Sequence, residues 1–210
     1  MRMLRISNSI RHKNYATVLR DEHTPLVIAT GPAGTGKTRM PSLIGLEKLT
    51  DKRYERIVIT RPTIAVGGES IGFLPGDINE KMSPWVSHMM EYIDMYDLKF
   101  VKSNVDVVSM AYIRGHTLKD RWVIADEMQN STPMQMKTLL TRVGENTKLV
   151  ITGDLSQSDL DIPLNGLQDL LNRIDYQGDG HGDGFAAHIA FMNEDVKRSD
   201  FVKHVLKLYS

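Results

Sequence analysis

The sequence predicts a three-layer α/β domain: a mostly parallel sheet with helices on both faces. Three observations carry that expectation. Short β-rich runs alternate with segments of helical periodicity along the chain. The central runs are nearly unbroken Val, Ile and Leu, the composition of strands covered on both faces. A glycine loop follows the first run directly, at the carboxyl end of a strand, where sheets of this kind hold their ligands.

In chain order, the expected strands are Leu26–Thr30, Arg56–Thr60, Val105–Ser109, Trp122–Asp126, Leu149–Thr152 and Ala187–Phe191. The expected helices are Lys37–Leu49, Pro84–Tyr96, Pro133–Val143, Gly166–Ile174 and Asp200–Leu208. The helix from Pro133 has the clearest borders. Thr132 and Gln135 stand at capping-box spacing, with Pro133 at the first helical position. Met136, Leu139, Leu140 and Val143 recur at helical spacing, and Gly144 closes the segment. Crossovers between parallel strands are expected to be right-handed.

One domain is expected over residues 1–210: a basic amino-terminal segment (1–24), the sheet core (25–174), a Gly/Asp-rich loop (175–185) and a last strand and helix (186–210). That Gly/Asp loop lacks the distal Glu of a calcium loop and reads as an exposed turn.

Composition narrows the function classes. The chain has 210 residues, enough for a sizeable core without staples, and no cysteine, which removes disulfides and thiolate metal sites. No apolar stretch is long enough to span a bilayer, so a cytoplasmic protein without membrane partners is expected. The net charge is zero, yet Arg2, Arg5, Arg11, Lys13 and Arg20 fall in the first twenty residues with no acid among them. Such a cluster suits a phosphate backbone or a solvated face equally.

The chemistry centres on Gly31-Pro32-Ala33-Gly34-Thr35-Gly36-Lys37-Thr38. Glycines let successive backbone N–H groups turn inward around a polyphosphate, and the following helix directs its positive end to the same place. Lys37 then reaches the β- and γ-phosphates, and the Thr38 hydroxyl ligates Mg²⁺. Chance produces this spacing in about one chain in a hundred of this length.

The strand Trp122–Asp126 ends in two acids, Asp126 and Glu127. Beside a phosphate loop, Asp126 suits Mg²⁺ and Glu127 suits the water that attacks the γ-phosphate. Taken alone, the pair reads equally as two solvated acids. A third apolar strand leads into Gly153, Asp154 and Gln157, and Gln157 is placed to sense the γ-phosphate or the attacking water.

Together these elements resemble the RecA-like core of superfamily 1 helicases, a P-loop NTPase fold. Thr60-Arg61-Pro62, Gly72-Phe73-Leu74-Pro75-Gly76-Asp77, Ala111-Tyr112-Ile113-Arg114-Gly115, Asp126-Glu127-Met128-Gln129-Asn130, Met136-Lys137, Leu140-Thr141-Arg142 and Glu194-Asp195-Val196-Lys197-Arg198 are similar to the PhoH family of ATPases. The resemblance covers residues 8 to 210. It implies ATP and Mg²⁺ as ligands, ATP hydrolysis, a strand ending at Asp154 inserted between the glycine-loop strand and the Asp126 strand, and assembly into a homo-oligomeric ring, in relatives a hexamer. It also implies a link to RNA or to phosphate starvation, with helicase-like unwinding.

Carried onto this chain, Gly31 to Thr38, with Arg39 and His12, form the ATP-binding set. Arg61, Tyr112 and Arg114 match positions that touch single-stranded RNA. Relatives place a Gln, which reads the adenine edge, where His12 stands; a neutral imidazole cannot reproduce the amide's paired donor and acceptor. The arginine for the developing charge is expected from a neighbouring subunit, with Arg142 and Arg198 as candidates. No nuclease-type acid cluster precedes the core, so no intrinsic nuclease is expected. Two other readings stay open: a nucleotide-dependent switch or adaptor, and a small-molecule kinase using the same loop.

Overall fold

The computed structural model describes residues 9–62, 91, 103–177 and 184–197. The expected helices at 84–96 and 200–208, the stretch 72–77, most of the Gly/Asp loop and Arg198 lie outside these residues.

Six strands form one sheet: β1 (Leu26–Thr30), β2 (Arg56–Thr60), β3 (Val105–Val107), β4 (Arg121–Ala125), β5 (Lys148–Gly153) and β6 (Ala186–Ala190). Their order is β3-β2-β4-β5-β1-β6 and every pairing is parallel. The expected α/β class is therefore the one found, with a sheet that is wholly parallel. β1 and β5 are buried along their whole length, as their apolar centres, Leu26–Ala29 and Leu149–Ile151, require.

Helices α1 (Ile10–Arg20) and α2 (Arg39–Thr50) cover one face, where Tyr15, Leu19, Ile44 and Leu46 meet Val27, Trp122 and Val150. The one-turn α3 (Met110–Ile113), α4 (Pro133–Leu140) and α5 (Gly166–Gln177) supply the other face, where Met136, Leu139, Leu167 and Leu171 meet Ile28, Val123 and Ile151.

α4 forms as its cap dictates: the Thr132 hydroxyl accepts from Gln135 N–H at 3.2 Å, and Gln135 Oε1 accepts from Thr132 N–H at 2.8 Å. It ends three residues earlier than its periodicity suggests. Arg142 and Val143 N–H turn to the carbonyls three residues back, tightening the end, and Val143 pairs with Leu118 instead.

The main departure is α1, where a basic segment was expected. Both of its arginines are in ion pairs: Arg11 with Glu194 and Asp195, Arg20 with Glu47. At its carboxyl end the buried Lys148 donates to Val18 and Asp21 carbonyls at 2.7 and 2.6 Å, tying α1 to the foot of β5. Burial lowers the Lys148 pKa to about 8, with the Asp21 charge acting in the opposite direction.

Register explains why the functional residues converge. β5 lies between β1 and β4, with Thr30 level with Gly153 and Ala125 level with Ile151. Asp126, one residue past β4, therefore comes level with Thr152, and the glycine loop leaves β1 beside both.

Candidate nucleotide and magnesium site

The loop from Gly31 to Thr38 connects β1 to α2, and its conformation depends on glycine. Gly34 and Gly36 have φ of 83° and 88°, values that side-chain-bearing residues rarely adopt. At Gly31, a Cβ would lie 2.3 Å from the Phe191 carbonyl oxygen, so only glycine lets the loop pass the end of β6. Lys37 Nζ lies across the loop, donating to the Pro32 carbonyl at 2.8 Å and to the Gly31 carbonyl.

Behind the loop, His12 Nε2 is 2.8 Å from the Thr35 carbonyl, and the Tyr15 hydroxyl donates to the Lys37 carbonyl at 2.8 Å. Burial, then the nearby Asp126 charge, hold the Tyr15 pKa well above its ordinary value, so the phenol remains a donor. Asp195 accepts from Ser9 and Arg11 side chains and from Met192 N–H. Burial acts against its charge, but these donors outweigh it and its pKa falls below the usual carboxylate range.

In front of the loop, Thr38 Oγ1 donates to Asp126 Oδ1 at 2.9 Å, and Thr152 donates to the same oxygen. Among the described residues no group of three His, Cys, Asp or Glu side chains gathers. The donor set is thus one hydroxyl and one carboxylate, hard oxygens that fit a Mg²⁺ completing its shell with phosphate oxygens and water.

Glu127 follows at φ 55° and ψ 38°, a left-handed conformation costing about 1 kcal/mol in a non-glycine residue. Its carboxylate accepts from Gln129 Nε2 at 2.7 Å. Gln129 is buried, accepts from Asp154 N–H at 3.1 Å and donates to the Gln157 carbonyl at 3.3 Å. Gln157 in turn donates its side-chain amide to Asp154 Oδ2 at 2.8 Å. The ends of β4 and β5 are therefore linked through one buried glutamine.

The structure joins residues 31–38 to Asp126 through Thr38, and Glu127 to Gln157 through Gln129. Arg39 is exposed on the first turn of α2, and His12 is buried behind the loop. Arg61 follows β2 at the same edge of the sheet, while Tyr112 and Arg114 are exposed on and just after α3. Arg142 lies at the foot of β5, opposite the loop; a six-residue strand separates them, about 20 Å.

Thr152, Gln129 and Tyr15 were not assigned roles from sequence. A threonine ending a strand and a glutamine in a polar loop carry no distinguishing signal. The Asp126-to-Asn130 run was the one available hint for Gln129.

Comparison with known proteins places the chain in a family and a fold. The family described as PhoH-like protein matches residues 6–210. A PhoH-like protein of Mycobacterium leprae is 36% identical, over 96% of this chain and 57% of its own length. One from Bacillus subtilis is 42% identical over 64% of this chain and 44% of its own. Protein PhoH of Escherichia coli K12 is 36% identical over 90% of this chain and 54% of its own. The chain spans about half the length of these curated relatives.

Among solved structures, the large terminase of a thermophilic bacteriophage is similar with a TM-score of 0.59. That match has 13% identity and covers 95% of this chain and 49% of the terminase, a likeness of fold. No described helix is long and apolar enough to cross a membrane. With a glycine loop at the head of a parallel sheet of the P-loop NTPase class, and a family match across nearly its whole length, this chain belongs to the PhoH-like protein family.

Proposed function

We propose that the chain binds ATP with Mg²⁺ at the carboxyl ends of β1, β4 and β5 and hydrolyses it, acting on single-stranded RNA as a helicase-like ATPase in a homo-oligomeric ring, a hexamer by family resemblance. The observation that carries the reading is the Thr38 hydroxyl 2.9 Å from the Asp126 carboxylate at the mouth of the glycine loop.

The Lys37 ammonium and the loop N–H groups take the charge of the β- and γ-phosphates. Thr38 and Asp126 hold the metal, which when bound neutralises charge on the phosphate oxygens. Glu127 takes the proton of the attacking water as its oxygen bonds to the γ-phosphorus and the bond to the bridging oxygen breaks. Gln129 orients that carboxylate. Gln157, with one amide N–H on Asp154, keeps its oxygen and second N–H for the γ-phosphate or the water.

Arg142 supports the ring. It lies at the end of the sheet opposite the loop, so a head-to-tail neighbour presents it to the next subunit's site. Arg198 remains the second candidate. Exposed Tyr112 and Arg114, with Arg61 at the end of β2, supply the stacking and charge that single strands need.

The test is ATP hydrolysis by wild type and Glu127→Gln, with and without single-stranded RNA, at several protein concentrations. Hydrolysis that rises with RNA and with concentration is expected. Hydrolysis indifferent to RNA would favour a nucleotide-dependent switch, and phosphate transfer to a small acceptor would favour a kinase.

A further inference from the structure

Four consecutive peptide units of the glycine loop are held by their carbonyl oxygens. The Gly34 oxygen accepts from Lys197 N–H at 2.9 Å and the Gly36 oxygen from Met40 N–H at 3.0 Å. The Thr35 oxygen meets His12 Nε2 and the Lys37 oxygen the Tyr15 hydroxyl, each at 2.8 Å. In a trans peptide the C=O and N–H of one unit point in opposite directions. Anchoring these oxygens against α1, α2 and the segment after β6 turns the N–H groups of Thr35, Gly36, Lys37 and Thr38 the other way. Those are the groups a nest needs to face phosphate.

A carbonyl oxygen only accepts, so the His12 ring must carry its proton at Nε2. The ring is 3% exposed, packs on Phe191 with centroids 5.0 Å apart, and has Nδ1 3.9 Å from Asp195 Oδ1. Asp195 is itself fixed by Ser9, Arg11 and Met192 N–H, and Lys197 N–H extends from the same segment onto Gly34. Residues 191–197 and α1 therefore close on the loop from behind as one assembly. Nε2 is thus turned to the Thr35 carbonyl and Nδ1 to the Asp195 side.

We propose that His12 is a positioning residue for phosphate binding and not a reader of the nucleobase. With the Tyr15 hydroxyl and Lys197 N–H it sets the peptide planes whose N–H groups grip the polyphosphate, and the Asp195 carboxylate lies 3.9 Å from its other ring nitrogen, beyond hydrogen-bond distance. The inference rests on the reading above, that the loop binds ATP.

Inorganic tripolyphosphate, which has no base, separates the two roles. The variant is His12→Phe, which keeps ring packing against Phe191 and removes the donor. Affinity for ATP and for tripolyphosphate, each with Mg²⁺, is measured by calorimetry. Loss of one hydrogen bond to a buried carbonyl predicts about a tenfold weakening, equal for both ligands. His12→Gln, whose amide can still donate to Thr35, is expected to recover most of it for both.

Weakened ATP binding with unchanged tripolyphosphate binding would overturn the proposal and return His12 to the base. So would unchanged binding of both ligands. Lys37→Ala runs alongside: if it leaves tripolyphosphate binding intact, the loop reading itself fails, whatever His12 does. Should His12→Phe melt far below wild type, Asp195→Asn is the second variant. A smaller but equal loss for both ligands supports the proposal, and an effect on ATP alone, or none, contradicts it.

Discussion

At the carboxyl ends of β1, β4 and β5 the polar side chains are fixed by the protein itself. Thr38 and Thr152 share one oxygen of Asp126, Gln129 ties Glu127 to Asp154 and Gln157, and His12 and Tyr15 brace the loop. At the end of β3, along the same edge of the sheet, Tyr112 is 61% exposed and stacks on His116, and Arg114 is exposed as well. The first region is set before a ligand arrives, so geometry selects the ligand and little ordering cost is left to meet. The second region leaves its side chains in solvent; as the RNA surface proposed above, it would make contacts by stacking and charge that tolerate sequence and respond to salt.

That contrast can be broken first at the arginine proposed to reach the fixed region from a neighbouring subunit. Arg142→Ala, or Arg198→Ala if Arg198 is the one, is expected to cut hydrolysis by about 10³–10⁵-fold. Mixing the variant with Glu127→Gln should restore part of the activity, because some interfaces then hold an intact pair. Full activity in both single variants would remove the shared site from the account.

Glu127→Gln sharpens the fixed region itself. It should lower kcat by about 10²–10⁴-fold while ATP affinity stays near wild type. A large change in affinity with kcat intact would place Glu127 in binding and not in proton transfer.

On the exposed side of the comparison, Tyr112→Ala should weaken single-stranded RNA by about 1–3 kcal/mol without altering ATP affinity. Arg114→Ala should reduce the salt slope of RNA binding by about one. RNA affinity unmoved by both would direct the search for the RNA surface elsewhere.

The smallest effect concerns the support under the fixed region. Lys148→Met leaves the Val18 and Asp21 carbonyls without their donor and should cost about 1–3 kcal/mol of stability in chemical denaturation. The Lys148 pKa is lowered to about 8 from an ordinary 10.5, so the unfolded chain binds more protons between those values. Its contribution to stability should therefore rise with pH across that window and be flat below it. A Lys148→Met protein that keeps the same rise would exclude Lys148 as its source.

The legible part of this molecule was the part written in short-range patterns. Apolar runs gave the six strands, the Thr132–Gln135 box gave α4, and glycine spacing gave the loop. The insertion of β5 between β1 and β4 came from family resemblance and is found in the sheet.

What escaped depends on residues far apart in sequence. α1 reads as a basic tail because its partners, Asp195 and Glu47, lie on other elements. Gln129 gains its place from Asp154 and Gln157, and Thr152 from the register that sets it beside Asp126. The His12 contact with the Thr35 carbonyl, 23 residues away, likewise leaves no mark in the sequence.

As proposed, polyphosphate is gripped where β1, β4 and β5 end. Calorimetric titration of ATP with Mg²⁺ into wild type and Lys37→Ala tests it most directly. Measurable binding to the wild type and a loss of at least about tenfold in the variant are expected, the cost of removing one charge-assisted contact to phosphate. Equal affinity in the two proteins, both folded, would contradict it.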